Sequence, residues 1–183
     1  MPTALVILAP GFEEIEAATP IDVLRRAGVE VTVVGLDVLQ VTGSRGLTFV
    51  ADCVLADAPR EPDLILLPGG MPGAANLAAS EDLRTRLQEE HAAGGRVAAI
   101  CAAPAVALAP TGLLEGRRAT CYPGFEERFS EAVEFSEERV VVDGRITTSR
   151  GPGTALEFSL ALVEQLVSAE VAAGLREGML VPL

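Results

Sequence analysis

The sequence predicts a flavodoxin-like three-layer α/β/α sandwich with a mostly parallel sheet. Three observations carry this. Short apolar runs closed by Gly or Pro alternate with longer helical stretches. Hydrophobic residues make up 49 % of the chain but aromatics only 4 %, so the core is built from Ala, Val, Leu and Ile, as in strands covered on both faces. The first 35 residues already read as one strand–helix–strand unit, whose crossover demands parallel strands. At 183 residues the chain is expected to form a single domain, 1–183.

The elements follow in order. Residues 3–9, TALVILA, read as a buried strand stopped by Pro10-Gly11. Residues 13–27 read as a helix, kinked at Pro20 and capped by Gly28. Residues 29–35 form the second strand, and 38–50 a short antiparallel excursion turning at Gly43-Ser44. DLILL, 63–67, is a buried strand broken by Pro68-Gly69-Gly70, and Ser80 caps a helix over about 81–93. RVAAI, 96–100, is a strand that delivers Cys101 into a helix beginning near Pro104. Strands are expected at 117–121 and over 139–149, the latter a hairpin through Asp143-Gly144. A long helix follows Gly151-Pro152-Gly153, and a short one covers about 168–176.

Composition removes several functions. A net charge of −12 repels phosphate backbones and anionic membranes, so neither a nucleic-acid nor a membrane partner is expected. All basic residues are Arg, which excludes a lysine Schiff base and a P-loop lysine. Cys53, Cys101 and Cys121 form no CxxC pair, and the single histidine leaves no metal-ligand set. APGFEE follows the first strand where a dinucleotide fingerprint would stand, so no cofactor is expected. The amino terminus reads as a first strand rather than a signal peptide, and a cytoplasmic location is expected.

Chemistry concentrates at Cys101. In AAICAAPA, 98–105, a nucleophile between strand and helix makes a sharp elbow, for which Ala99 and Ala103 leave room. A thiol at a helix N-terminus is expected to favour thiolate, while a buried small hydrophobe is the plain alternative. His91 is excluded as its base. The end of the preceding helix lies at the other edge of the sheet, five strand residues or roughly 16 Å away, and His91 is expected to be solvated there. Glu13, Glu14 and Glu16 begin the first helix at the same edge as Cys101. Glu13 and Glu16 share a face at i, i+3, and Glu14 points elsewhere. Acids also favour helix N-termini for the dipole alone. The glycine loop LLPGGMPGA brings Gly69 and the N–H of Gly70 to this edge, and SRGPGT sets Arg150 and Pro152 at a helix start suited to an anion.

LVILAPGFEEIE, RRAGVEVTV, LPGGMPGAANL, AAICAAP, TSRGPGTALEF and the tail EVAAGLREGMLV together resemble the ThiJ/PfpI superfamily, in its DJ-one branch of parkinsonism-associated deglycases. The resemblance spans essentially the whole chain and implies a class I glutamine amidotransferase-like variant of the sandwich. It implies that Cys101 is the nucleophile, Glu16 the acid that hydrogen-bonds its sulfur, and Gly70 and Ala102 the backbone donors of an oxyanion site. Arg45 and Arg150 would line an anion-binding entrance, with Glu13, Gly69, Tyr122 and Pro152 around the pocket. A homodimer, a small aldehyde substrate and glyoxalase or deglycase activity without cofactor are implied as well. The same cysteine could instead serve as an oxidative-stress sensor or protective protein. Two positions depart from the pattern. The proteolytic branch has His after its cysteine, here Ala102, which weakens a peptidase or amidase. DJ-one has His before a Pro beside the pocket, here Tyr122.

Overall fold

In the computed structural model, residues 1–182 are described. Seven strands form the central sheet: β1 (Thr3–Leu8), β2 (Glu30–Gly35), β5 (Cys53–Val54), β6 (Leu64–Leu67), β7 (Arg96–Ile100), β10 (Val140–Asp143) and β11 (Ile146–Ser149). Their spatial order is β10-β11-β7-β6-β1-β2-β5, parallel throughout except for the β10–β11 hairpin at one edge. The inner strands are buried on both faces, which is why β1 and β6 read as unbroken apolar runs. The main departure from alternation is β11, whose Thr147, Thr148 and Ser149 are all buried and hydrogen-bonded.

Two layers of helix cover the sheet. Helix α1 (Glu14–Arg26) packs on α4 (Ala155–Leu166), and α4 on α5 (Ala169–Gly178). On the other face, α2 (Gly73–Ala79) packs against α3 (Glu81–Ala92) and against a π-helical turn over Pro104–Leu108. Helix α1 continues through Pro20, which forgoes one backbone bond without ending it. Gly28, at φ +81, closes the helix as expected: its N–H meets Arg25 O while that of Val29 meets Leu24 O. Ser80 caps α3 through Leu83 N. Phe12 and Phe158 are fully buried at the centre among Leu and Ile.

Two small ladders sit outside the sheet. The antiparallel pair β3 (Gln40–Thr42) and β4 (Thr48–Val50) is the expected excursion. The segment expected as a strand over 117–121 contributes only β8 (Arg118–Ala119), which pairs in parallel with β9 (Glu134–Phe135) rather than with the main sheet. Helix α2 was not expected: Pro72 at its start offers no side-chain cap, and its composition is mostly Gly and Ala.

The chain runs outward from β1 to β2 in one direction and to β6 and β7 in the other. The order therefore reverses beside β1, and the loops at the carboxyl ends of β1 and β6 meet there, Glu13 N donating to Gly69 O at 2.9 Å and Gly73 N to Gly11 O at 3.1 Å. Glu13–Glu16, Gly69–Gly70 and Cys101 all follow strand ends at this edge.

Candidate active site

The elbow at Cys101 is built by backbone geometry. Cys101 adopts φ +66, a left-handed conformation that costs a non-glycine residue on the order of 1–3 kcal/mol. Its N–H donates to Ser149 O at 2.9 Å, and its carbonyl accepts from Tyr122 N at 2.8 Å, so two neighbouring segments hold the turn. The residue is 8 % exposed. The backbone N–H groups of Gly70 and Ala102 both point at the sulfur and favour its anion. Gly70 has φ +84, and a Cβ there would stand 2.5 Å from Glu13 N, so the position admits only glycine.

Glu16 is the acid beside the thiol. It is fully buried, its Oε2 accepts from Gly69 N at 2.9 Å, Oε1 has no hydrogen-bond partner, and the carboxyl interacts with the Cys101 thiol. A Cβ at Gly69 would lie 2.7 Å from Cys101 Cβ and 2.8 Å from Glu16 Oε2, so glycine is what lets acid and thiol approach. Burial raises the Glu16 carboxyl to about 7, with the charge of Glu13 adding to it, while the thiol and Gly69 N–H act in the opposite direction. Burial, then the charge and hydrogen bonding of Glu16, push the Cys101 thiol up to about 12, against the two N–H donors. Desolvation and an adjacent carboxylate thus oppose the thiolate that the turn's donors favour. The two groups behave as a coupled pair, and the thiol ionises more readily when Glu16 carries the proton.

The other two thiols are no better activated. Burial pushes Cys121 up to about 12, and burial, Asp52 and Asp57 raise Cys53.

The three acids separate as their helix positions require. Glu13 caps α1, its Oε2 accepting from Glu16 N at 2.8 Å. Glu14 is buried and turned away to the β3–β4 turn, where it accepts from Arg45 N at 2.6 Å and from Leu47 N and Ser44 Oγ at 3.4 Å. Burial opposes its charge, but these bonds win and its carboxyl is lowered. A Cβ at Gly43 would stand 2.5 Å from Glu14 Cδ, so this contact too needs a glycine.

The remaining expected residues sit around this centre. Arg45 is exposed on the turn that Glu14 holds, and its guanidinium makes no ion pair among the described residues. Arg150 donates to Glu137 O at 3.0 Å, and its charge acts on Cys121 and Glu126. Pro152 opens a short 3-10 turn closed by Thr154 on Gly151. Tyr122 is 45 % exposed next to Gly151. His91 does not join them, but it is buried rather than solvated, and Arg145 of the β10–β11 turn donates to its carbonyl at 3.1 Å. Burial and then Arg145 lower its pKa. A polar concavity of about 600 Å³ lined by Glu61, Asp63, Arg96 and Arg145 lies at the amino ends of β6 and β7, away from Cys101. Among the described residues no group of three His, Cys, Asp or Glu could hold a metal. Sequence reasoning missed Ser149 and the supporting role of Glu14. Neither carries a local signal, since both act on residues distant in the chain.

The model of the DJ-1/PfpI family matches residues 2–165. The zebrafish "Parkinson disease protein 7 homolog" is 45 % identical over 175 residues, covering 93 % of this chain and 92 % of that protein. The Caenorhabditis elegans "Glutathione-independent glyoxalase DJR-1.2" is 37 % identical over 171 residues, covering 92 % and 90 %. The solved structure of oxidized Toxoplasma gondii DJ-1 superposes with a TM-score of 0.95 at 41 % identity, covering all of both chains. The chain spans 39 % and 44 % of the length of two Arabidopsis thaliana relatives, DJ-1 homologs B and A. On the matched span and these identities, the chain belongs to the DJ-1/PfpI family.

Proposed function

We propose that this chain is a cofactor-independent, cysteine-dependent glyoxalase or deglycase acting on methylglyoxal, related reactive aldehydes or early glycation adducts. The observation that carries the reading is Cys101 at φ +66, with the N–H groups of Gly70 and Ala102 at its sulfur and buried Glu16 beside it. A C. elegans relative named as a glutathione-independent glyoxalase supports it.

Each step follows from the pair. Ionised Glu16 takes the thiol proton as sulfur bonds to the aldehyde carbon, and the resulting oxyanion lies against the Gly70 and Ala102 N–H groups. Glu16 returns the proton to that oxygen, giving a neutral hemithioacetal. It then removes the hydrogen of that carbon as a proton while the neighbouring ketone oxygen is protonated, forming an enediol. Reprotonation at the former ketone carbon and loss of the first hydroxyl proton leave a lactoyl thioester. Water cleaves the thioester, releasing lactate and restoring the thiol, so methylglyoxal and water become lactate with no external oxidant. A carboxyl near 7 can accept and donate protons at neutral pH. The test is methylglyoxal loss and lactate gain with wild type, Cys101→Ser and Cys101→Ala. Turnover in the wild type alone supports the reading, and equal turnover in all three overturns it.

A second reading uses the same constellation. Peroxide would oxidise Cys101 to sulfenate and then sulfinate, whose oxygens would be held by protonated Glu16 and the two N–H donors. The oxidised Toxoplasma relative favours it. Protein that consumes no aldehyde, but gains oxygen on Cys101 under substoichiometric peroxide, would select this reading. A homodimer belongs to either proposal. It is supported by Ile15 on α1 and Leu47 and Val50 on the β3–β4 hairpin, all more than half exposed. A cytoplasmic location is likewise proposed. No helix of the described residues is long and apolar enough to cross a membrane.

A further inference from the structure

We propose that the polar concavity at the amino ends of β6 and β7 is a binding site for a small zwitterion, a molecule carrying one carboxylate and one ammonium group as an amino acid or a dipeptide does. The site lies at the opposite edge of the sheet from Cys101, because Arg96 opens β7 and Cys101 follows its last residue. The proposal is independent of the glyoxalase reading. Two arginines form the basic side. Arg96 donates through Nη1 to Gln165 Oε1 at 3.1 Å and to Gly144 O at 3.4 Å, and Gln165 is itself anchored on Thr147 Oγ1 at 2.9 Å. Arg145 donates through Nη2 to His91 O at 3.1 Å. A guanidinium has five N–H groups, so each keeps donors to spare. Acids form the other side. Asp63 Oδ2 accepts from Thr3 N at 2.8 Å and from Thr3 Oγ1 at 3.2 Å. Glu61 stands at φ +55, a left-handed conformation unfavourable for a residue with a long side chain, and its N–H donates to Glu90 Oε1 at 3.3 Å.

The charges on the two sides balance. Glu90 is buried and already paired with Arg86 Nε at 2.6 Å, which leaves Glu61 and Asp63 against Arg96 and Arg145 around the concavity. Neither these acids nor these arginines join an ion pair among the described residues, although they line one space of about 600 Å³. Isolated surface charges need no partner. Here opposite charges border a single concavity, with Arg96, Arg145 and Asp63 braced by hydrogen bonds, and do not close on each other. A lone anion would be attracted by the arginines and repelled by the acids, and a lone cation the reverse. A molecule carrying both charges satisfies both sides, and the volume falls within the roughly 300–1,000 Å³ of small-molecule sites.

The test titrates the full chain with glycylglycine, N-acetylglycylglycine and glycylglycinamide at pH about 6.5, below the α-amino range of roughly 7.7–8. The second peptide lacks the ammonium group and the third the carboxylate. Binding is followed by NMR at the backbone amides of Gly94, Gly95, Arg96 and Arg145, and at the ring of His91, the only histidine. Besides burial, the charge of Arg145 acts on that imidazole, so a carboxylate on Arg145 should shift it. Glycylglycine should give saturable shifts at these residues, and each blocked peptide should bind roughly fivefold more weakly. Arg96→Gln should weaken glycylglycine by a similar factor and leave glycylglycinamide unchanged. Glu61→Gln should weaken glycylglycine and leave N-acetylglycylglycine unchanged. No saturable shift at these residues overturns the proposal. So does equal binding of glycylglycine and N-acetylglycylglycine, which marks a plain anion site, or of glycylglycine and glycylglycinamide, which marks a plain cation site. The peptide comparison is made on the wild type and holds even if a variant fails to fold. Methylglyoxal turnover plays no part in it, so this site and the glyoxalase reading fail separately.

Discussion

At the scale of single residues, the site is a contest between desolvation and hydrogen bonding. All three thiols are raised, so ionisation in the resting state does not set Cys101 apart. What does is a proton acceptor in contact and two N–H donors at the sulfur. Limited iodoacetamide treatment followed by peptide mass mapping is expected to label Cys101 before Cys53 or fully buried Cys121. Glu16→Gln should abolish aldehyde turnover while sparing or speeding that labelling, because it removes the negative charge that opposes the thiolate. Glu16 also ties stability to pH. Its folded carboxyl lies at about 7 against an ordinary 4.5. Its contribution is therefore fully present below 4.5 and lost as pH rises through 7, by up to roughly 3 kcal/mol. Urea midpoints from pH 4.5 to 7.5 should decline less in Glu16→Gln than in wild type.

At the scale of elements, two loops are set by glycines whose partners lie far along the chain. Gly70→Ala would place a methyl 2.5 Å from Glu13 N in a left-handed conformation. We expect a loss of at least about 1–2 kcal/mol in chemical denaturation, together with loss of activity, because the donor N–H moves with the strained turn. Glu14→Ala would strip the β3–β4 turn of its acceptor for Arg45 N and Leu47 N. The expected cost is about 1–3 kcal/mol, with Glu14→Gln closer to wild type, read from thermal or urea unfolding. Most elements were legible because local signals mark their ends: Pro-Gly after β1 and β6, Ser80 before α3, Gly28 after α1. Helix α2 was not, since it lacks a side-chain cap and is formed by docking on the Pro104–Leu108 turn. The short pairing of β8 with β9 was illegible for a related reason, its register depending on a segment sixteen residues away.

At the scale of the molecule, the carboxyl edge of the sheet gathers residues from four separate loops, and exposed apolar residues gather elsewhere. Ile15, Leu47 and Val50 are exposed near a groove bordered by Ala18, Ile21, Phe49 and Val50. Light scattering at micromolar concentration is expected to give a dimer mass, and Val50→Asp to shift it towards monomer. A monomer mass for the wild type would remove the dimer from the proposal.

The sequence alone determined the parallel sandwich, since buried strands require continuous apolar runs and their crossovers require helices. It also placed Cys101 at an elbow, because small residues must flank one, and it separated Glu14 from Glu13 and Glu16 by helical periodicity. Tertiary structure alone decided the electrostatics. Burial of Glu16 and Cys101 depends on Gly69 letting two distant loops meet, and that burial opposes the thiolate that the turn's donors favour. It also decided that His91 is buried, with Arg145, from a hairpin 54 residues later, bonded to its carbonyl. Desolvation is set by whatever packs over a group, and no local pattern in the chain encodes what that will be.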